Sequence, residues 1–363
     1  MKKIVIIDTT WPINSRTEKF KNTFIKNEYR AILSAWNRGE NVADSKENEF
    51  VLNTKIGYGN HFYKLLFLLS FFYHTYKVIK NTNPNVVFAS HWDSLVIAAS
   101  IKLLLRREFE IIYDCLDLPT SKNKYILKLL QFIEKLALKK VKVTILASRF
   151  YSELYDGKTE LFVFENYPSN SLNFDITLEA KEKYQETIDA LRLKGNKIVS
   201  WIGVVRYSEI IYNLILSIKN IDFHLCIFGD GPSLSEVKNF VLENKLEHKV
   251  TFFGRYTQSE LSCIYANTDV VWAAYPTLDY NAVYAISNKY FECSFFSKLP
   301  VFSLKTKMSE NVTSDVLLVN EYDIDSISKE LNRSMTLSTF KPYETTVFWE
   351  DRESHFIEVL NKI

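Results

Sequence analysis

Twice along this 363-residue chain, short apolar runs alternate with longer segments whose apolar residues recur every three to four positions. KIVIID at 3–8, RAILSAW at 30–36, NPNVVFAS at 83–90, EIIYD at 110–114 and VKVTILAS at 141–148 are apolar throughout, without the alternation of a strand that faces water on one side. Helix-period segments separate them at about 17–27, 61–80, 91–107 and 125–140. Strands buried on both faces and joined by helices make a parallel sheet covered on both sides. After ELFVFENYP at 160–168 comes a polar stretch, about 169–196, rich in Glu and Lys. The rhythm then restarts with KIVSWIGVV, DFHLCIFGDGP, KVTFFGRY, DVVWAAYP, LPVFSL and DVLLV. The chain is long enough for two cores. The expectation is an α/β protein of two Rossmann-like, doubly wound domains facing a central cleft, 1–168 and 169–346. A last helix, 347–363, crosses back to the first domain. Residues 41–60 read as polar and irregular.

Ligands of such sheets sit beyond the C-terminal ends of the strands. His91, Asp93 and Asp117 fall at such ends in the first half. Of only nine glycines, Gly203, Gly229, Gly231 and Gly254 fall at strand ends in the second half, where a missing side chain lets a ligand approach the backbone or simply permits a tight turn. Arg206 follows the strand SWIGVV and faces the same sheet edge as Lys289; two cations there suit a diphosphate. The stretch YAISNKYFECSFFSKLPVFS, 284–303, puts Ser287, Asn288 and Lys289 at a loop-to-helix junction, with Glu292 on the same helical face as Lys289. Free N–H groups, the helix dipole and a lysine favour a phosphate, and a carboxylate beside it can accept from ribose hydroxyls. From these residues alone, a capping box with Asn288 as N-cap reads equally well.

A formal net charge of +2 provides no global attraction to nucleic acid. The six histidines are dispersed and show no metal-ligand pattern. Cys115, Cys226, Cys263 and Cys293 lie far apart and read as buried thiols of a cytoplasmic protein. MKKIVIIDTT reads as a first strand, not a signal peptide, and the longest apolar run, 65–73, is too short to span a bilayer. Residues 121–142 carry seven lysines (122, 124, 128, 135, 139, 140 and 142) against one acid, Glu134, with Tyr125, Ile126, Leu129, Leu130 and Ile133 spaced for one helix face. Such a helix suits the anionic inner face of a membrane, or covers a sheet with a solvated lysine face. The aromatic-rich helix at 61–80 is a second membrane candidate.

Four motifs in order, IGVVR at 202–206, FGDGP at 228–232, VTFFGRYTQSELSCIYANTDVVWAAYP at 250–276 and SNKYFE at 287–292 followed by LPV, resemble the retaining glycosyltransferases of family 4, which have the GT-B fold. WNRG at 36–39, PNVVFASHWD at 84–93, IIYDCLDLP at 111–119 and FENYP at 164–168 match more loosely, and FWEDRESHFIEVLNKI looks like the family's terminal helix. The resemblance implies that Glu292 binds the ribose of a nucleoside diphosphate sugar, UDP sugars first. Lys289 and Arg206 would hold its diphosphate, with Gly203, Gly229, Gly231, Arg255, Tyr256 and Asn288 around the donor. It places a saccharide or lipid-linked saccharide acceptor on His91, Asp93 and Asp117, as in capsule or O-antigen assembly, with no cofactor or metal. The chain departs from the pattern at Tyr284, where the family commonly has Glu, at Leu116, at Ser297 and in the DTTWP loop. Two rival readings are a nucleotide-sugar 2-epimerase of the same fold and a catalytically idle donor-binding scaffold.

Overall fold

The computed structural model describes residues 1–57, 61–121, 123–155, 157, 159–173, 175–312, 315–337 and 340–363, so Lys122 of the basic segment lies outside the described residues. The chain divides into two compact units, Met1–Asn166 with Arg352–Ile363, and Tyr167–Asp351.

The first unit runs β1 (Lys3–Asp8), α1 (Ser15–Lys26), β2 (Arg30–Asn37), β3 (Glu49–Asn53), α2 (His61–Thr82), β4 (Val86–Ser90), α3 (His91–Leu105), β5 (Glu110–Cys115), α4 (Lys124–Leu138), β6 (Val143–Leu146), α5 (Ser152–Tyr155) and β7 (Glu160–Val163). Its seven strands are parallel, in the order β3-β2-β1-β4-β5-β6-β7. The stretch expected to be irregular thus contains an edge strand, β3, paired with β2 from Leu33–Glu49 to Asn37–Asn53.

The second unit runs α6 (Leu178–Leu193), β8 (Lys197–Ile202), α7 (Ser208–Ser217), β9 (Phe223–Phe228), α8 (Leu234–Glu243), β10 (Val250–Gly254), α9 (Leu261–Ala266), β11 (Val270–Trp272), α10 (Tyr280–Tyr284), α11 (Asn288–Phe295), β12 (Leu299–Ser303), α12 (Lys307–Asn311), β13 (Leu317–Val319) and α13 (Ile324–Ser334). Six parallel strands lie in the order β10-β9-β8-β11-β12-β13. The polar stretch 169–196 is not a bare linker. Its Thr177 caps α6 through a bond from the Ala180 amide, and Ala180, Tyr184 and Ile188, one turn apart, are buried with Ile198, Phe228 and Tyr265.

Burial of both sheet faces explains the continuous apolar strands: Ile4 to Ile7 and Phe223 to Phe228 are all buried, including His224, whose Nε2 pairs with Thr251 Oγ1 at 2.8 Å. The last helix, α14 (Trp349–Asn361), starts in the second unit and ends in the first. There Phe356 is buried, its ring 5.1 Å from Phe20 edge-on, 5.8 Å from Phe24 and 5.9 Å from Phe164. All four cysteines are free and buried.

Burial, aided by Lys249 and His248 nearby, pulls the His224 pKa down to about 4. The folded value lies below the unfolded one, so this stability is fully present above about pH 6.5 and is lost as pH falls towards 4. The total is about 3 kcal/mol. Denaturation of the protein and of His224→Gln at pH 7.5, 5.5 and 4.5 should show a shallower acid loss in the variant; parallel curves would contradict this assignment.

Candidate functional site

In both sheets the strand order reverses at one point, between β1 and β4 in the first unit and between β8 and β11 in the second. Chains leaving neighbouring strands there turn to opposite faces, which opens a crevice at the C-terminal strand ends. The predicted site residues lie at these two edges.

In the second unit, Gly203, Gly229, Gly231, Arg255 and Tyr256 line one cavity of about 500 Å³ together with Val204 and Asp230. The glycines serve different ends. A Cβ on Gly229 would lie 1.8 Å from the Gly203 carbonyl oxygen, and one on Gly231 would lie 2.3 Å from that of Val205. Their missing side chains therefore admit the protein's own backbone, which is laced by Gly203 N–H to Phe228 O at 2.8 Å, Val205 N–H to Asp230 O at 3.0 Å and Ser233 N–H to Val205 O at 3.1 Å. Gly203, at φ 132, has nothing within 4 Å of its Cβ position, so it leaves room beside the cavity. Arg255 donates from Nε to Asp230 Oδ2 at 2.9 Å. That bond, with a further one from the Gly231 amide, lowers the Asp230 pKa.

Lys289 and Glu292 sit a turn apart on α11 and both are buried, with Lys289 Nζ 2.5 Å from Glu292 Oε2. The Tyr265 hydroxyl donates to the same oxygen at 2.5 Å, and the ammonium lies 5.8 Å from the Tyr265 ring centroid. Burial works against the Lys289 charge, but the Glu292 carboxylate and the neighbouring Tyr256 outweigh it, and the pKa is raised. Tyr256 links the pair to the cavity: it lines the cavity and feels both charges, and its own pKa is raised by burial first. Glu292 Oε1 keeps no protein partner among the described residues. Asn288 is the first residue of α11, not its N-cap; Ser287 holds the cap position without a side-chain bond to the helix, its Oγ buried and unbonded.

Arg206 is exposed, its guanidinium 4.8 Å from the Tyr207 ring centroid, with no acid partner among the described residues. Tyr207 stands at φ 65 ahead of α7, a strained conformation for a residue with a side chain, and its ring meets Tyr275 edge-on at 6.5 Å. Tyr275 lies close enough to Lys289 to add to its stabilisation. A chain of rings thus connects the two cations.

In the first unit, His91 opens α3 directly after β4 with φ 70, and its Nε2 is 3.4 Å from Asn14 Nδ2. Asp93 is buried and accepts from the Thr9 hydroxyl at 3.0 Å and the Ser94 amide at 2.9 Å. Asp117 is exposed beyond β5. The residue missed from sequence is Asp8, at the end of β1. It is fully buried, accepts from Thr10 N and Oγ1 at 3.0 and 2.7 Å, and is joined to His91 through Asn14. Burial raises its pKa, with His91 pulling the other way. Its place at a strand end was legible; its tie to His91 was not. Tyr265, Tyr275 and Asp230 were also missed, although all three stand in the motifs quoted above. Among the described residues no group of three or more His, Cys, Asp or Glu could hold a metal ion.

No protein-family model matches the chain, and no curated protein matches its sequence. Solved structures do. Sucrose-phosphate synthase from Thermosynechococcus elongatus superposes with a TM-score of 0.78 at 12% identity, over 100% of this chain and 99% of that one. Anabaena HepE in complex with UDP and glucose gives 0.72 at 15% identity over 100% of both chains. The lipopolysaccharide outer core galactosyltransferase WaaB gives 0.63 at 13% identity over 99% of this chain and 100% of that one. The fold is GT-B. Arg206, Lys289, Glu292 and the cavity residues fall in the second Rossmann-like unit and His91, Asp93 and Asp117 in the first.

Gly229→Ala forces a Cβ into a backbone oxygen and should destabilise the protein by at least about 3 kcal/mol. Gly203→Ala meets only backbone strain of roughly 1–3 kcal/mol, yet fills space beside the cavity. Thermal melts should separate them, with a lower melting temperature for Gly229→Ala than for Gly203→Ala. Equal melts would contradict the backbone packing.

Proposed function

We propose that this protein is a retaining glycosyltransferase moving a sugar from a nucleoside diphosphate donor, UDP sugars first, to a saccharide acceptor. One observation carries the reading: the buried Lys289–Glu292 pair on α11, tied through Tyr256 to a cavity walled by glycine turns. Glu292 Oε1 accepts from the ribose, while the two Lys289 protons not given to Glu292 face the diphosphate. Arg206 and the positive end of the α11 dipole add positive potential. The likeness to HepE, whose crystals hold UDP, UDP with glucose and UDP-glucose, supports a uridine nucleotide.

In the transfer, the bond from the sugar's anomeric carbon to the β-phosphate oxygen breaks as the bond to the acceptor oxygen forms on the same face. The acceptor's proton passes to the departing phosphate. Charge therefore grows on the diphosphate, and fixed cations stabilise it more in the transition state than in the bound donor. No metal is needed for this step. His91, Asp93 and Asp117 in the first unit hold the acceptor hydroxyls, and Asp8 orients His91 through Asn14. The likeness to an outer core galactosyltransferase supports an acceptor from surface-polysaccharide assembly, carried on a lipid and met at the cytoplasmic side.

Lys289→Ala and Glu292→Ala should each lose roughly 2–4 kcal/mol of transition-state stabilisation in kcat/KM, with turnover surviving chelation by EDTA. Wild-type turnover in both variants would remove the site assignment. NMR of a UDP sugar with the enzyme alone checks the reaction class, since epimerised sugar formed without acceptor would replace transfer by 2-epimerisation.

A further inference from the structure

The helix α4 turns an apolar row to solvent. Its inward side is fixed: Glu134 is buried and accepts from the hydroxyls of Tyr113 at 2.7 Å and Tyr155 at 2.6 Å, and Ala137 and Leu138 are buried with it. At 100° per residue, Tyr125, Leu129, Phe132 and Leu136 then fall in one sector about 60° wide, opposite that anchor. They are 85, 55, 58 and 47% exposed. The stripe expected from sequence is therefore split, because Leu130 and Ile133 are half-buried while Tyr125 and Leu129 face outward. Lys124, Lys128, Lys135 and Lys139 fill the adjoining sector, all exposed and none with an acidic partner among the described residues. The neighbouring α3, which packs on α4, ends in exposed Leu103 and Leu104 followed by Arg106 and Arg107.

An apolar crest of this kind is costly in water and needs an occupant. We infer that α4 docks flat on an anionic lipid surface, with Phe132 and Leu136 among the acyl chains and the lysine row at the headgroups. The charge decides between occupants. The outward side of α4 carries no acid, so a second copy would give the lysines no counter-charge, whereas anionic lipid answers them along the whole row. The other aromatic-rich helix, α2, exposes Leu66, Leu69 and Tyr73, but Lys77 and Lys80 lie 4.4 and 5.9 Å from the ring centroids of Tyr73 and Tyr76. Among the described residues no helix is long and apolar enough to cross a bilayer, so the contact is interfacial. This inference deepens the proposed acceptor class but is read without donor or acceptor, so it stands or fails apart from the transferase reading.

The test is co-sedimentation of the full chain with phosphatidylcholine vesicles, with and without 30% phosphatidylglycerol, across a NaCl series. Binding should require the anionic lipid. It should fall at least about tenfold in Lys124→Glu/Lys128→Glu/Lys135→Glu and in Phe132→Ser/Leu136→Ser, with unchanged circular dichroism, since all five side chains are exposed. Phe132→Cys carrying an environment-sensitive dye should shift to the blue on vesicles; the native thiols are buried and stay unlabelled. Any one of three results would overturn the proposal: no binding, binding with an unshifted dye, or a dye shift that follows self-association by sedimentation velocity without lipid.

Discussion

The ammonium of Lys289 and the carboxylate of Glu292 are both taken out of water, and neither could be buried without the other. Removing one partner leaves an uncompensated charge, which is far costlier than the pair itself. The surroundings follow from that constraint. Tyr265 donates to the carboxylate and lies beneath the ammonium, and its ring stacks on Phe296 at 4.4 Å between centroids, at the end of the same helix. Helix α11 is thereby held against α9. The Ser287 side chain at its N-cap makes no bond to the helix.

Around that pair the second sheet supplies walls without bulk. The β8–α7 and β9–α8 loops approach so closely that only glycine fits at 229 and 231, and the result is a rigid rim built from main chain. Rigidity of this sort suits electrostatic catalysis, because dipoles that do not reorient during the reaction cost nothing at the barrier. Asp230 and Arg255 answer each other on the rim, as Lys289 and Glu292 do on α11, whereas Arg206 has no acid partner among the described residues. The first unit answers with a different device. Burial raises the Asp8 pKa while the Thr10 donors and nearby His91 act against that rise, and polar side chains from β1, α1 and α3 knit its sheet edge together.

Sequence conveyed the sheets well because strands buried on both faces write unbroken apolar runs, and it conveyed α11 because Lys289 and Glu292 are a local pair at three-residue spacing. What it hid depends on tertiary neighbours. The β3 strand has a single partner and half-exposed side chains, so EFVLN carries little signal. Only three residues of α6 are buried, too few to stand out among its charges. Gly229 and Gly231 were legible as glycines, but whether ligand or backbone fills the missing side chain depends on a loop about 25 residues away in sequence. On α4 the repeat was plain, yet two apolar rows share one helix, and only the Tyr113 and Tyr155 hydroxyls decide which turns inward.

The placement of Phe356 carries a consequence for biogenesis. Four aromatic rings of the first unit, Phe20, Phe24, Phe162 and Phe164, lie against a side chain encoded almost two hundred residues after the last of them. On the ribosome the aromatic centre of the front lobe therefore lacks one of its rings until the chain has been made through Phe356.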